Sequence, residues 1–305
     1  MQSSIEKLKM VDAFKSTTMF LVDKQIEAQL EEEILSTIKL YQSKMQGISC
    51  QEGLESFIRS EKDSVSMLET LLGISGEKMK RVVTMLRVRK GYVFDSEWDE
   101  RRIQKELSQT SSLMDEFCDL FLYGKSNSLY QELIPHFVLQ DFKIDDDTIQ
   151  RLTNEDFMRM LVKARMIATY SAKYSKVYEK LIKEGIEPLA LAEGLTFEQT
   201  VIDRVSSIPC YVVKDGKKQI LITYSFQSTT SNNQNKYADN HISPIYASTR
   251  EDDKSLVVNI LDGAGWIGRS LAYKSIYRDC DYFLNLRTLG QMKQIIDNFF
   301  NNIAL

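Results

Sequence analysis

Cys210-Tyr-Val-Val-Lys-Asp-Gly-Lys-Lys-Gln-Ile-Leu-Ile-Thr-Tyr-Ser-Phe226 is the stretch on which the architecture turns. Residues 210–213 and 219–226 are rich in β-branched and aromatic side chains, and Asp215-Gly216 between them is a tight-turn pair. The segment predicts a β-hairpin. Side chains alternate along a strand, so Thr223 and Ser225 share one face while Ile222 and Tyr224 take the other.

Working outward, Leu256-Val-Val-Asn-Ile-Leu261 reads as a buried strand, Asp281-Tyr-Phe-Leu-Asn-Leu286 as another, and residues 289–303 as a closing amphipathic helix. Upstream of the hairpin, residues 196–205 read as one last short helix. Residues 1–185 read almost entirely as helix, with Pro135 the only proline before Pro188. Apolar positions recur near helical spacing over residues 25–45, 113–121 and 157–181, and residues 124–128 and 141–147 are polar breaks. The expectation is an α+β chain: a helical N-terminal domain over 1–185, then a mixed α/β core over 186–305.

The composition excludes several classes. With 305 residues, 43% hydrophobic and 27% charged, the chain can bury a sizeable core. No apolar run approaches the ~18 residues of a membrane span, and the start of the chain carries no secretory signature, so a cytoplasmic protein without membrane association is expected. The four cysteines are scattered without a Cys-x-x-Cys pair, which argues against structural zinc or a disulfide framework. Two histidines exclude a three-histidine metal site. His136 follows Pro135 in an apolar stretch and reads as a core or turn residue; His241 falls in a polar loop. The net charge of −4 leaves nucleic-acid binding to local clustering.

Four constellations could carry chemistry. Residues 64–90 form a helix–turn–helix-like segment: Val65, Leu68 and Leu72, a Gly73-Ile74 break, Ser75 as a cap, then Met79, Val82, Val83 and Leu86 on one face. Around that second helix stand Lys78, Lys80, Arg81, Arg87, Arg89 and Lys90 against Glu77, a face suited to phosphates or to a major groove. Gly263, Gly265 and Gly268 space as G-x-G-x-x-G, but no second βαβ half follows; a tight turn, with Arg269 just beyond it, is the better reading. No phosphate-binding Gly-Lys-Ser/Thr loop is present, because Gly124-Lys125-Ser126 lacks the upstream glycine. The loop Gln227-Ser-Thr-Thr-Ser-Asn-Asn-Gln-Asn-Lys236 offers uncharged hydrogen-bonding groups suited to adenine edges and phosphates, or simply a polar surface. The hairpin, finally, has the frame in which metal-dependent nucleases set a carboxylate on one strand and a carboxylate and lysine two apart on the next. Here the paired positions hold Thr223 and Ser225.

Leu261-Asp-Gly-Ala-Gly-Trp-Ile-Gly-Arg269 followed by Cys280-Asp-Tyr-Phe-Leu-Asn-Leu286 resembles the C-terminal end of type II restriction endonucleases of the PD-(D/E)xK type, most of all the group that includes the GATC cutters. The likeness runs from about Gly194 to the end. Phe197-Glu198 resembles the acidic residue on the helix that precedes the core strands there, and Leu72-Gly-Ile-Ser-Gly-Glu-Lys78 resembles segments of their helical parts. The resemblance implies Mg²⁺-dependent cleavage of specific double-stranded DNA in host defence. It also implies a homodimer or a companion restriction subunit, and a functionally linked cognate DNA methyltransferase. Carried over, the metal acids fall at Cys210 and Thr223 and the base at Ser225, and all three depart from the pattern. If the acids have migrated, Glu198 and Asp203 are expected to ligate Mg²⁺, with Thr223 and Ser225 holding the scissile phosphate or a metal-bound water. Asp215 reads as a turn residue, and Lys217 or Lys218 could serve as base. The expected DNA contacts are Lys78, Lys80, Arg81, Arg87, Arg89, Thr229, Thr230, Asn233, Gln234 and Arg269. The alternatives are a catalytically inactive nuclease-like DNA-binding or partner subunit, and a helical interaction scaffold.

Overall fold

The computed structural model describes residues 6–93, 96–203, 205–230, 233–250 and 254–301. The chain is α+β and divides into two compact units, one formed by Gln25–Ala168 and the other by Met1–Lys24 together with Thr169–Leu305. A boundary after residue 185 falls inside the helix Ile167–Ala192, so the sheet unit begins earlier than the sequence suggested and also takes in the N-terminal segment. The expected helix over 157–181 is two helices, Glu155–Arg165 and Ile167–Ala192, parted at Met166. Among the described residues no helix is long and apolar enough to cross a membrane.

The helical unit is built as its periodicity requires. Lys24–Lys44 buries Leu30, Ile34, Ile38 and Tyr41 on one stripe. The pair of helices foreseen over 64–90 is present as Ser64–Leu72 and Gly76–Arg89. Gly73 closes the first at φ +65, with its N–H on the Thr70 carbonyl and the Ile74 N–H on the Glu69 carbonyl, the paired bonds that satisfy a helix C-terminus. Ser75 caps the second by accepting from the Lys78 N–H at 3.2 Å. The core fills with Phe117, Phe121 and Phe142, none of them measurably exposed.

The other unit holds a five-stranded sheet in sequence order. Strands β1 (Thr196–Val201), β2 (Pro209–Lys214) and β3 (Gln219–Phe226) form an antiparallel meander. β4 (Ser255–Asp262) runs parallel to β3, and β5 (Tyr282–Leu284) parallel to β4. Helical crossovers make those parallel pairings possible: Asn233–Tyr237, Ala238–Ile242 and Ser243–Ser248 precede β4, and Ser270–Arg278 precedes β5. One sheet face presents Cys210, Val212, Leu221, Val257, Leu261 and Phe283 to Ile242, Ile245, Trp266, Tyr273 and Ile276. The opposite face meets the helix Ile167–Ala192, where Tyr178 lies 5.5 Å from the Phe226 ring.

The helix expected over 196–205 is instead β1. Its β-branched and aromatic residues satisfy their backbone by pairing with β2, and Phe197 stacks on Tyr211 with ring centroids 4.8 Å apart. Tertiary pairing overrides a weak local preference. The glycine-rich segment after β4 is the tight turn the sequence favoured. Gly263 has φ +110, and a Cβ there would lie 2.2 Å from the Gln227 carbonyl oxygen; a Cβ on Gly265 would lie 2.3 Å from that of Thr229. The close approach these glycines permit is to the chain's own loop after β3, which leaves no place for a dinucleotide pyrophosphate.

Replacing Gly265 by Ala is therefore expected to lower stability by about 1–3 kcal/mol or more, since backbone rather than a flexible side chain must yield. Gly216→Ala, at φ +90 with nothing within 4 Å of the added methyl, should cost only the roughly 1–2 kcal/mol of a left-handed residue. Urea unfolding of the two variants measures the difference.

Candidate nucleic-acid interface

The two residues at the nuclease-like positions of β3 are closed off within the protein. Thr223 is 1% exposed and opposite Asn259 in the β3–β4 register. The Asn259 amide nitrogen donates to the Ile276 carbonyl at 3.0 Å and the Asp279 carbonyl at 3.2 Å, so its oxygen faces Thr223 and accepts from that hydroxyl. Tyr237 lies over the same spot, its hydroxyl beside that of Thr223 and donating to the Tyr224 carbonyl at 3.0 Å. Ser225 is buried and accepts from the Gln227 amide at 3.4 Å. Cys210 is buried among apolar side chains, which pushes its thiol up to about 11 and keeps it neutral.

The alternative acids do not replace them. Glu198, expected on a helix, lies on the exposed edge strand β1, with its carboxylate 2.5 Å from the Lys214 ammonium. Asp203 is exposed in the turn after β1. Asp215 is the turn residue the sequence suggested, accepting from the backbone N–H groups of Lys217 and Lys218 at 2.8 and 2.7 Å. Among the described residues no group of three or more His, Cys, Asp or Glu is placed to hold a metal. The ribbon's neutral and mutually bonded side chains do not fit Mg²⁺, a hard cation that takes anionic oxygens.

The loop after β3 keeps part of its expected character. Thr229 and Thr230 are exposed, while the Thr229 backbone rests against Gly265 and the Thr230 methyl against Gly268. Gln234 is 1% exposed and its amide reaches the Thr229 carbonyl at 3.4 Å, so it braces the loop rather than facing outward. The side chain of Asn233 lies outside the described residues. Arg269 follows the glycine turn and is half-buried. His241 is on the helical crossover rather than in a loop, and its Nδ1 lies 3.1 Å from the Ser206 hydroxyl. That hydroxyl also accepts from the Ile208 N–H at 3.2 Å, so the pair ties the β1–β2 connection to the crossover. His136, expected in a core or turn, is exposed at the start of a four-residue helix.

The basic helix Gly76–Arg89 is less of an electropositive face than its composition suggests. Lys78 pairs with Asp141, Lys80 with Glu77, Arg81 with Glu97, and Arg89 and Lys90 both with Glu116. Arg87 is 2% exposed. Its guanidinium donates to the Ser96 carbonyl at 2.9 Å and stacks 3.6 Å over the Trp98 ring, so it is a core residue and not a phosphate contact. Apart from Glu77, which lies on the helix itself, the carboxylate partners Glu97, Glu116 and Asp141 come from outside it, which local charge counting does not reveal.

Sequence reasoning also passed over Asp262 at the end of β4. This fully buried carboxylate accepts from the Thr18 N–H at 2.6 Å, the Leu286 N–H at 2.8 Å and the Tyr178 hydroxyl at 3.0 Å. Burial raises its pKa to about 6, against the pull of those three donors. A legible signal existed for Asn259, a lone polar residue inside an apolar strand; none existed for the three partners of Asp262.

Two outcomes follow. Because Asp262 holds its proton more tightly folded than unfolded, its contribution to stability is greatest below pH ~4 and is lost as pH rises through about 6. Asp262→Asn removes that slope, worth up to about 3 kcal/mol. The stability difference between variant and parent should therefore move in the variant's favour between pH 4.5 and pH 7 in urea titrations, even though the new amide donor facing three donors destabilises it at every pH. Arg87→Ala should cost roughly 2–4 kcal/mol, and Arg81→Ala, an exposed pair, at most about 1 kcal/mol; thermal unfolding of both variants checks the contrast.

Compared with known proteins, the chain matches no family model, no curated protein and no solved structure.

Proposed function

We propose that this chain is a restriction-endonuclease-like protein that binds duplex DNA and does not hydrolyse it at the β2–β3 ribbon. The observation that carries the second half is the closure of Thr223 by Asn259 and Tyr237. A position that would carry a metal-binding carboxylate in such a nuclease holds a buried hydroxyl whose partners are all within the protein.

Support for the first half comes from the resemblance of the segment after β4 and from the sheet. An antiparallel meander followed by a parallel crossover strand agrees with the nuclease core that the resemblance implies. The exposed Thr229 and Thr230 leave the C-terminal end of β3, where such a core meets its DNA. The glycine turn beneath them packs on the Thr229 backbone and the Thr230 methyl, so little ordering entropy would be lost when their hydroxyls meet phosphate oxygens. Hydrolysis, where it accompanies this chain, belongs to a companion subunit.

The test is incubation of the protein with unmodified phage DNA and Mg²⁺, followed by electrophoresis under native and denaturing conditions. Salt-sensitive retardation without discrete fragments is expected, weakened in Thr229→Ala/Thr230→Ala. Mg²⁺-dependent fragments that vanish in Glu198→Ala would establish cleavage by migrated acids instead. Absence of retardation at low salt removes DNA from the account.

A further inference from the structure

Strand β1 is an edge of the sheet. It pairs with β2 on one flank, and among the described residues no other main-chain group bonds Thr196–Val201. In an antiparallel pair every second residue turns its N–H and C=O away from the neighbour, so half of the β1 backbone groups face outward. Proteins blunt such an edge with lysine, proline, a bulge or a very short strand. The opposite edge, β5, is short, at three residues. β1 has six residues, no lysine or proline, and an unbroken register against β2. Its one charge, Glu198, is paired with Lys214.

The side chains along this edge divide between the two faces. Gln199 is opposite Tyr211 in the register, so Phe197, Gln199 and Val201 share the Tyr211 face, and Thr196, Glu198 and Thr200 take the other. On the first face Tyr224, Tyr211 and Phe197 form a stacked ladder, with ring centroids 5.1 and 4.8 Å apart, that crosses the meander and stops at the edge. Val201, further along the same face, is 44% exposed. One end of the edge thus presents an aromatic ring and the other an uncovered β-branched side chain.

We propose that β1 pairs antiparallel with β1 of a second copy of the chain, about a two-fold axis at Gln199. When a strand pairs with its own twin, the alternation of outward-facing backbone groups requires that one residue face itself at the axis. With the axis at Gln199, Phe197 faces Val201 of the second copy and Val201 faces its Phe197, while Glu198 faces Thr200. With the axis at Glu198, two carboxylates would stand opposite each other and Phe197 would face Gln199. Aromatic and β-branched pairs stabilise a ladder and like charges directly opposite destabilise it. Charge and shape therefore select the first register, and the reciprocal Phe197–Val201 match selects a second copy over an unrelated peptide. This pairing stands independently of the DNA reading above.

Sedimentation of the full chain as a function of concentration, with three variants, tests the proposal. A monomer–dimer equilibrium is expected, weakened roughly tenfold or more in Val201→Glu, which removes both symmetry-related Phe197–Val201 pairs. Circular dichroism of Val201→Glu, an exposed position, is expected to match the parent. Cys50 is the exposed cysteine, so crosslinking is read in a Cys50→Ser background. There Gln199→Cys is expected to form an intermolecular disulfide on oxidation and Glu198→Cys is not, because only directly opposed residues come within bridging distance. Crosslinking at 198 instead of 199, a dimer unaffected by Val201→Glu, or a monomer at up to about 100 µM overturns the proposal. A monomer that binds duplex DNA refutes this pairing and leaves the DNA reading standing; a dimer crosslinked at 199 that binds no DNA does the reverse.

Discussion

The sheet unit depends on one buried carboxylate. Asp262 joins the end of β4 to residue 18 of the N-terminal segment, to Tyr178 on the long helix and to residue 286 beyond β5. Each hydrogen bond to a charged acceptor contributes about 1.5–3 kcal/mol, and removing a carboxylate from water costs several. The two are close to balance, with burial slightly ahead, as the raised pKa shows. The return for that near-balance is positional: segments separated by more than two hundred residues meet at one point, next to the glycine turn.

From that point the geometry of the candidate interface follows. Gly263 and Ala264 donate their N–H groups to the carbonyls of Thr18 and Met19, while Gly265 donates to that of Gln227. The turn is thus clamped between the N-terminal segment and the loop after β3. The loop in turn presents Thr229 and Thr230. Beneath it, Thr223 is bonded to Asn259, and Asn259 and Tyr237 spend their protons on backbone carbonyls, so the polar rim stands over an inert centre.

Much of this was legible in the sequence, for identifiable reasons. The hairpin announced itself through Asp215-Gly216 between two β-rich runs, and the helix pair through Gly73 and Ser75, because turns and caps are local chemistry. The glycine turn was legible as close approach but not as approach to what, since Gln227 and Thr229 are distant in the chain. β1 was misread because its six residues owe their conformation to β2. Arg87 was misplaced for a related reason: whether an arginine at a helix end faces water or Trp98 depends on a loop that folds back over it. Charge pairing of Lys78 with Asp141 and of Arg89 with Glu116 likewise joins residues that no local window contains.

The Thr223–Asn259–Tyr237 network also limits what mutation can do to this molecule. A carboxylate introduced at residue 223 alone would confront the amide oxygen of Asn259, whose two protons are already committed to the Ile276 and Asp279 carbonyls. The new charge would be buried beside a lone pair instead of a cation. An acid at residue 223 is therefore accommodated only if residue 259 changes with it. The orientation of one amide, fixed by two carbonyls on the far side, thus decides which side chains residue 223 can carry, so positions 223 and 259 are locked to one another in any change of the sequence.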